Sequence, residues 1–105
     1  FTGSTEVGKL IGRAAMDDMK RVSLELGGKS PVIVLDDCDA DVAAQGAAAA
    51  IFFNQGQVCT AGSRLYVQKG LYAKVVERLA DLAAGMKLGS GFAPDTQVGP
   101  LVSAR

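Results

Sequence analysis

The chain has 105 residues, Lys and Arg balance Asp and Glu at eleven each, and histidine is absent. Zero net charge gives no field that would gather nucleic acid or a membrane surface, and the longest apolar run, residues 47–53, is far too short to span a bilayer. Without histidine there is no Ser-His-Asp or Cys-His couple and no His-based metal site.

Two cysteines, Cys38 and Cys59, stand outside any C-x-x-C spacing. They form neither a disulfide framework nor a zinc site, and a reducing cytoplasm suits them. A hydrophobic fraction of 49% fits a globular chain rather than a disordered one. The chain opens on Phe1 and stops after a turn-like stretch, so an internal segment of a longer protein is expected.

Ser4 or Thr5 can cap a helix whose first turn carries Glu6, an acid suited to the positive N-terminal end. Val7, Leu10, Ile11, Ala14 and Ala15 recur at helical spacing, with Lys9, Arg13, Asp17 and Asp18 on the other side. This predicts an amphipathic helix lying on a sheet. Gly3 and Gly8-Lys9 also match the skeleton of a P-loop, but Leu10 stands where a magnesium-holding Ser or Thr is required. Glu6 would add a negative charge inside that loop. A weaker expectation survives: glycine, two hydroxyls and a helix N-terminus make a seat for a phosphate group. Plain helix capping is the alternative.

Residues 21–26 alternate, with Val22, Leu24 and Leu26 on one face and Arg21, Ser23 and Glu25 on the other, before Gly27-Gly28 breaks the strand. Glu25 therefore sits at a strand's C-terminal end, where ligands of α/β sheets gather. An exposed or ion-paired carboxylate is the bland alternative. Residues 31–35 read as an apolar strand covered on both faces. The acids from Asp36 to Asp41 supply a turn and a helix cap rather than a cation site, and Cys38 among them is expected to be structural, its thiolate disfavoured. From Val42 to about Asn54 the chain is helical and apolar around most of its surface, hence buried on several sides; Gly56 ends it.

Next comes Asn54-Gln55-Gly56-Gln57-Val58-Cys59-Thr60-Ala61-Gly62-Ser63, a loop holding one thiol among small neighbours. Such a cysteine is either a small buried hydrophobe or a reactive nucleophile, and these residues leave both readings open. The strand from Pro31 covers about 17 Å and the helix after it about 20 Å. An antiparallel return would bring Cys59 back near Gly27-Gly28, and so near Glu25. Residues 64–68 form a further strand, and 71–86 an amphipathic helix with Leu71, Val75, Leu79, Leu82 and Met86 inward. Residues 96–101 read as an ordered loop.

Four blocks, Phe1-Thr2-Gly3-Ser4-Thr5-Glu6-Val7-Gly8, Leu24-Glu25-Leu26-Gly27-Gly28-Lys29, Gly56-Gln57-Val58-Cys59 and Val98-Gly99-Pro100-Leu101-Val102-Ser103, stand in this order and spacing. Together they closely resemble the aldehyde dehydrogenase superfamily, over essentially the whole chain. The resemblance implies an α/β fold: residues 1–27 as the end of a Rossmann-like cofactor domain, and residues 28–105 as the first half of the α/β catalytic domain. It makes Cys59 the nucleophile, attacking an aldehyde to give a thiohemiacetal and then a thioester, and Glu25 the general base for hydrolysis. The Cys59 backbone N–H becomes one oxyanion donor.

Under the same resemblance, Gly3, Ser4, Thr5, Glu6, Val7 and Gly8 lie against the pyrophosphate and adenosine side of NAD or NADP, and Leu26 near the nicotinamide. Phe53, Val58 and Thr60 line the path of a small aldehyde. The blocks look most like bacterial broad-range or arylacetaldehyde members, and the full-length protein is expected to be a cytoplasmic homo-oligomer, dimer or tetramer. Parts of the cofactor site and of the oxyanion hole lie outside these residues, so the 105-residue chain alone is expected to be inactive. The alternatives are a P-loop hydrolase, already weakened by Leu10, and a non-catalytic α/β interaction or structural module with Cys59 in its core.

Overall fold

The computed structural model describes residues 1–104. Its first unit begins with β1 (Thr2–Gly3), followed by α1 (Thr5–Asp17) and β2 (Glu25–Leu26). The two strands run parallel, with Thr2 opposite Glu25 and Gly3 opposite Leu26. Ser4 caps α1, its Oγ accepting from the Val7 N–H at 3.2 Å. Glu6 in that first turn has its carboxyl held below the ordinary value by its own backbone N–H and then by the Ser4 hydroxyl.

The strand expected over residues 21–26 is ordered as strand only at Glu25 and Leu26. A ladder needs a partner, and here the partner is residues 1–3: the Phe1 amino group donates to the Ser23 carbonyl at 2.8 Å, and the Glu25 N–H donates to the Phe1 carbonyl at 2.8 Å. The apolar stripe of α1 was expected to lie on a sheet, yet Leu10 is 60% exposed and only Gly8 is buried. At Gly8 the helix comes so near β2 that a Cβ there would stand 2.6 Å from Leu26 Cδ2.

The second unit starts with β3 (Pro31–Val34) and continues through α2 (Ala40–Phe52), β4 (Arg64–Val67) and α3 (Tyr72–Ala84). β3 and β4 are parallel neighbours in a separate two-stranded sheet, with Val32 opposite Leu65 and Val34 opposite Val67. Asp39 caps α2: its carboxylate accepts from the Val42 and Asp41 N–H groups, and these bonds hold its pKa below the ordinary value.

Alternation along β3 and β4 sends Val32, Val34, Leu65 and Val67 to one side. There they meet Ala40 and Ala43 of α2 and Leu71 and Val75 on and beside α3, with Val34, Ala40 and Val75 buried at the centre. Ala44, Ala47 and Ala48 of α2 are buried as well, which keeps α2 and α3 close. The opposite face of this sheet was expected to be covered too. It is open, with Ile33 69% and Tyr66 52% exposed.

The last segment is ordered by its own bonds. Leu88 bridges Val98, the Lys87 N–H donates to Gln97 Oε1 at 2.9 Å, and the Gln97 N–H returns to the Lys87 carbonyl at 2.9 Å. Lys87 also pairs with Asp95 at 3.2 Å, an exposed contact.

Candidate functional site

A cavity of about 640 Å³ opens where the two units meet. Thr2 and Gly3 of β1, Glu25 and Leu26 of β2 and the turn Gly27-Gly28-Lys29 supply one group of its lining residues. Phe53, Asn54, Gly56, Gln57, Val58 and Cys59, from the end of α2 and the loop after it, supply the other. Glu25 and Cys59, far apart in sequence, thus share one cavity.

The closeness of the two groups has a local cause. The Arg64 N–H donates to the Ser30 carbonyl at 3.3 Å and Arg64 Nε to the Lys29 carbonyl at 2.8 Å, so the start of β4 is pinned to the chain just after Gly27-Gly28. The thiol loop immediately precedes β4 and is carried along. Its Gly62 packs where a Cβ would meet Val32 Cγ2 at 2.5 Å and Ala50 Cβ at 3.0 Å. At the other contact, a Cβ on Gly28 would stand 3.1 Å from the Cys59 carbonyl oxygen. Any side chain there would crowd the backbone of the thiol loop.

Cys59 is exposed, which removes the reading of it as a core residue. Cys38, expected to be structural, is also exposed, on the turn before α2. Of the expected cofactor-side residues, Gly3 and Leu26 line the cavity. Ser4, Thr5, Glu6, Val7 and Gly8 do not; they form the first turn of α1 and its cap, and Gly8 serves the packing of α1 on Leu26. Among the expected aldehyde-path residues, Phe53 and Val58 line the cavity and Thr60 does not.

Sequence reasoning missed Gln57, Asn54 and Lys29 as lining residues. The only hint was their place next to Cys59 and Gly28. No group of acidic, cysteine or histidine side chains among the described residues could hold a metal ion, and no helix among them is long and apolar enough to cross a membrane.

The cavity volume falls in the range that accommodates small ligands. It combines a carboxylate, a thiol, an apolar side chain (Leu26) and glycine backbone that a planar group can approach closely. The lining thus sets an apolar side chain and glycine backbone beside a thiol and a carboxylate.

Residues 1–105 match the profile of the Aldehyde dehydrogenase family. The chain is 61% identical over 105 residues, 100% of its length, to phenylacetaldehyde dehydrogenase of Pseudomonas fluorescens, of which it covers 21%. It is 48% identical over 98% of its length to a probable NADP(+) succinate-semialdehyde dehydrogenase of Sinorhizobium fredii, again covering 21% of that protein. Its backbone superposes on an NAD+ complex of an aldehyde dehydrogenase from Bacillus cereus with a TM-score of 0.95 at 49% identity, over 99% of this chain and 21% of the other. The chain therefore spans about one fifth of the length of the relatives it matches.

Proposed function

The chain belongs to the aldehyde dehydrogenase family, and on that footing we propose that it carries the thiol and the general base of an enzyme that oxidises an aldehyde to a carboxylic acid. The observation that carries this reading is the shared cavity of Cys59 and Glu25. Bound NAD or NADP supplies an acceptor for the hydride that the substrate carbon gives up.

The remaining chemistry belongs to side chains and backbone of this chain. Cys59 Sγ, as thiolate, attacks the carbonyl carbon and forms a C–S bond, moving the carbonyl electrons onto oxygen. The Cys59 backbone N–H stabilises that oxyanion. When the carbon has lost its hydride, the sulfur holds the acyl group as a thioester. Glu25 then takes a proton from water as the water adds to the thioester; the C–S bond breaks, and the acid leaves with Cys59 regenerated. Leu26 offers an apolar surface for the nicotinamide, and Gly3 lines the cavity beside it. We assign residues 1–27 to the end of the cofactor domain and 28–105 to the catalytic domain. The division agrees with the two separate sheets. We also propose a cytoplasmic homo-oligomer as the working form.

The test uses the full-length enzyme that contains this chain, with phenylacetaldehyde as the first substrate because of the 61% identity to a phenylacetaldehyde dehydrogenase. Cys59→Ala is expected to abolish reduction of both NAD+ and NADP+. Glu25→Gln is expected to retain a first burst of about one reduced cofactor per site, with slow steady turnover behind it, because only hydrolysis needs the base. Steady turnover surviving Cys59→Ala would sink the assignment.

A further inference from the structure

The turn leading into the thiol loop has three successive residues in left-handed backbone: Asn54 (φ 48°, ψ 41°), Gln55 (φ 58°, ψ 24°) and Gly56 (φ 71°). Glycine adopts this region freely and asparagine readily, but glutamine does so only when its surroundings hold it. Inside the turn, the Gln57 N–H donates to the Asn54 carbonyl at 3.0 Å and Asn54 Nδ2 donates to the Gln57 carbonyl at 3.3 Å. These local bonds close the turn without fixing where it points.

Support from outside comes from the far end of the chain. The Val102 N–H, 45 positions on, donates to Gln57 Oε1 at 3.0 Å. With the Gln55 amide oriented so that both its ends are satisfied, the Gly99 N–H donates to its oxygen at 2.9 Å, and its nitrogen donates to the Asn54 carbonyl at 3.1 Å. Residues 99–102 follow Val98, which is itself bridged to Leu88 and bonded to Lys87 just beyond α3. Two glutamine side chains thus tie the turn to a segment anchored elsewhere in the fold. The side chains of Asn54, Gln57 and Cys59 are exposed, so burial does not hold those three in place.

We propose that Gln57 and Gln55 are positioning residues: their side-chain bonds to residues 99–102 clamp the left-handed turn and hold Cys59 on the wall of the cavity it shares with Glu25. The proposal deepens the reading of Cys59 as nucleophile and rests on it. A clamp of this kind acts on the rate at which the thiol reacts and leaves cofactor affinity alone, since neither glutamine belongs to the β1 and Leu26 side of the cavity.

The experiment again uses the full-length enzyme. Gln57→Leu removes the acceptor at nearly constant bulk, and is expected to lower kcat about 10- to 100-fold, the scale of a misplaced reacting group. Alkylation of Cys59 by iodoacetamide should slow in parallel, with KM for NAD+ unchanged. Gln57→Glu keeps an acceptor oxygen but adds a charge beside the thiol; it should recover kcat with the pH profile moved upward, because a nearby carboxylate disfavours thiolate. Gln55→Asn still tolerates left-handed backbone but is too short to reach Gly99, and should share the Gln57→Leu pattern in weaker form. If Gln57→Leu does not fold, Gln55→Asn carries the test alone. Wild-type kcat and alkylation in the folded variants overturn the clamp, as does a loss of thermal stability with the alkylation rate of Cys59 intact. Activity that survives Cys59→Ala overturns the nucleophile and the clamp together; an inactive Cys59→Ala beside a fully active Gln57→Leu overturns the clamp only.

Discussion

At the scale of single residues, one contact at the site is tight. Gly28 faces the Cys59 carbonyl oxygen with only 3.1 Å for any Cβ. In the full-length enzyme Gly28→Ala should push the thiol loop by a few tenths of an ångström and lower kcat about tenfold or more. Steady-state kinetics check this, with KM for NAD+ expected to stay near the parent value. The roles proposed for Cys59 and Glu25 come from letters alone, from the particular blocks that flank them. Gly8 was readable as a glycine with a purpose, but its observed contact is helix packing against Leu26. The bonds of Gln55 and Gln57 were out of reach: their partners lie at Gly99 and Val102, and no local pattern signals a side chain that bonds so far along the chain.

At the scale of elements, the helices matched their signals because capping and periodicity are local. Asp39 begins α2 and Ser4 begins α1 through their own side-chain bonds. Strand length was less legible. Residues 21–24 have the alternation of a strand, yet a strand is defined by its neighbour, and β1 offers only two residues of ladder. The close seat of the thiol loop on β3 and α2 gives a sharper expectation. Gly62→Ala would drive a methyl group into Val32 and Ala50, and should destabilise the folded enzyme by about 1–3 kcal/mol, the usual range for overpacking. Denaturant unfolding of the full-length variant measures it; an unchanged midpoint would mean that the contact relaxes freely.

At the scale of the whole molecule, the chain is more open than a self-sufficient domain. Its radius of gyration is 18.1 Å, against about 13 Å for a compact domain of this length. Its accessible surface is 7924 Å², against about 5,500 Å² for a folded monomer of this mass. The excess is apolar in part: the α1 stripe and the outer face of β3 and β4 stand open. Surface of this kind needs a cover. The 105-residue polypeptide by itself is therefore expected to associate or to unfold readily, and to show no reduction of NAD+ with an aldehyde. Size-exclusion chromatography and cofactor absorbance check both points, and sustained turnover by a monomer would contradict them.

The sequence by itself determined the family blocks and the helices with their caps, because each is written in neighbouring residues. Only the tertiary structure decided that Glu25 and Cys59 share a cavity, that Cys38 lies on the surface and that Gln57 bonds to Val102. The physical reason is that these facts depend on distances between segments, set by the pinning of Arg64 to residues 29 and 30 and by glycines that let backbones touch. Neither is recorded in the periodicity or composition of any single stretch.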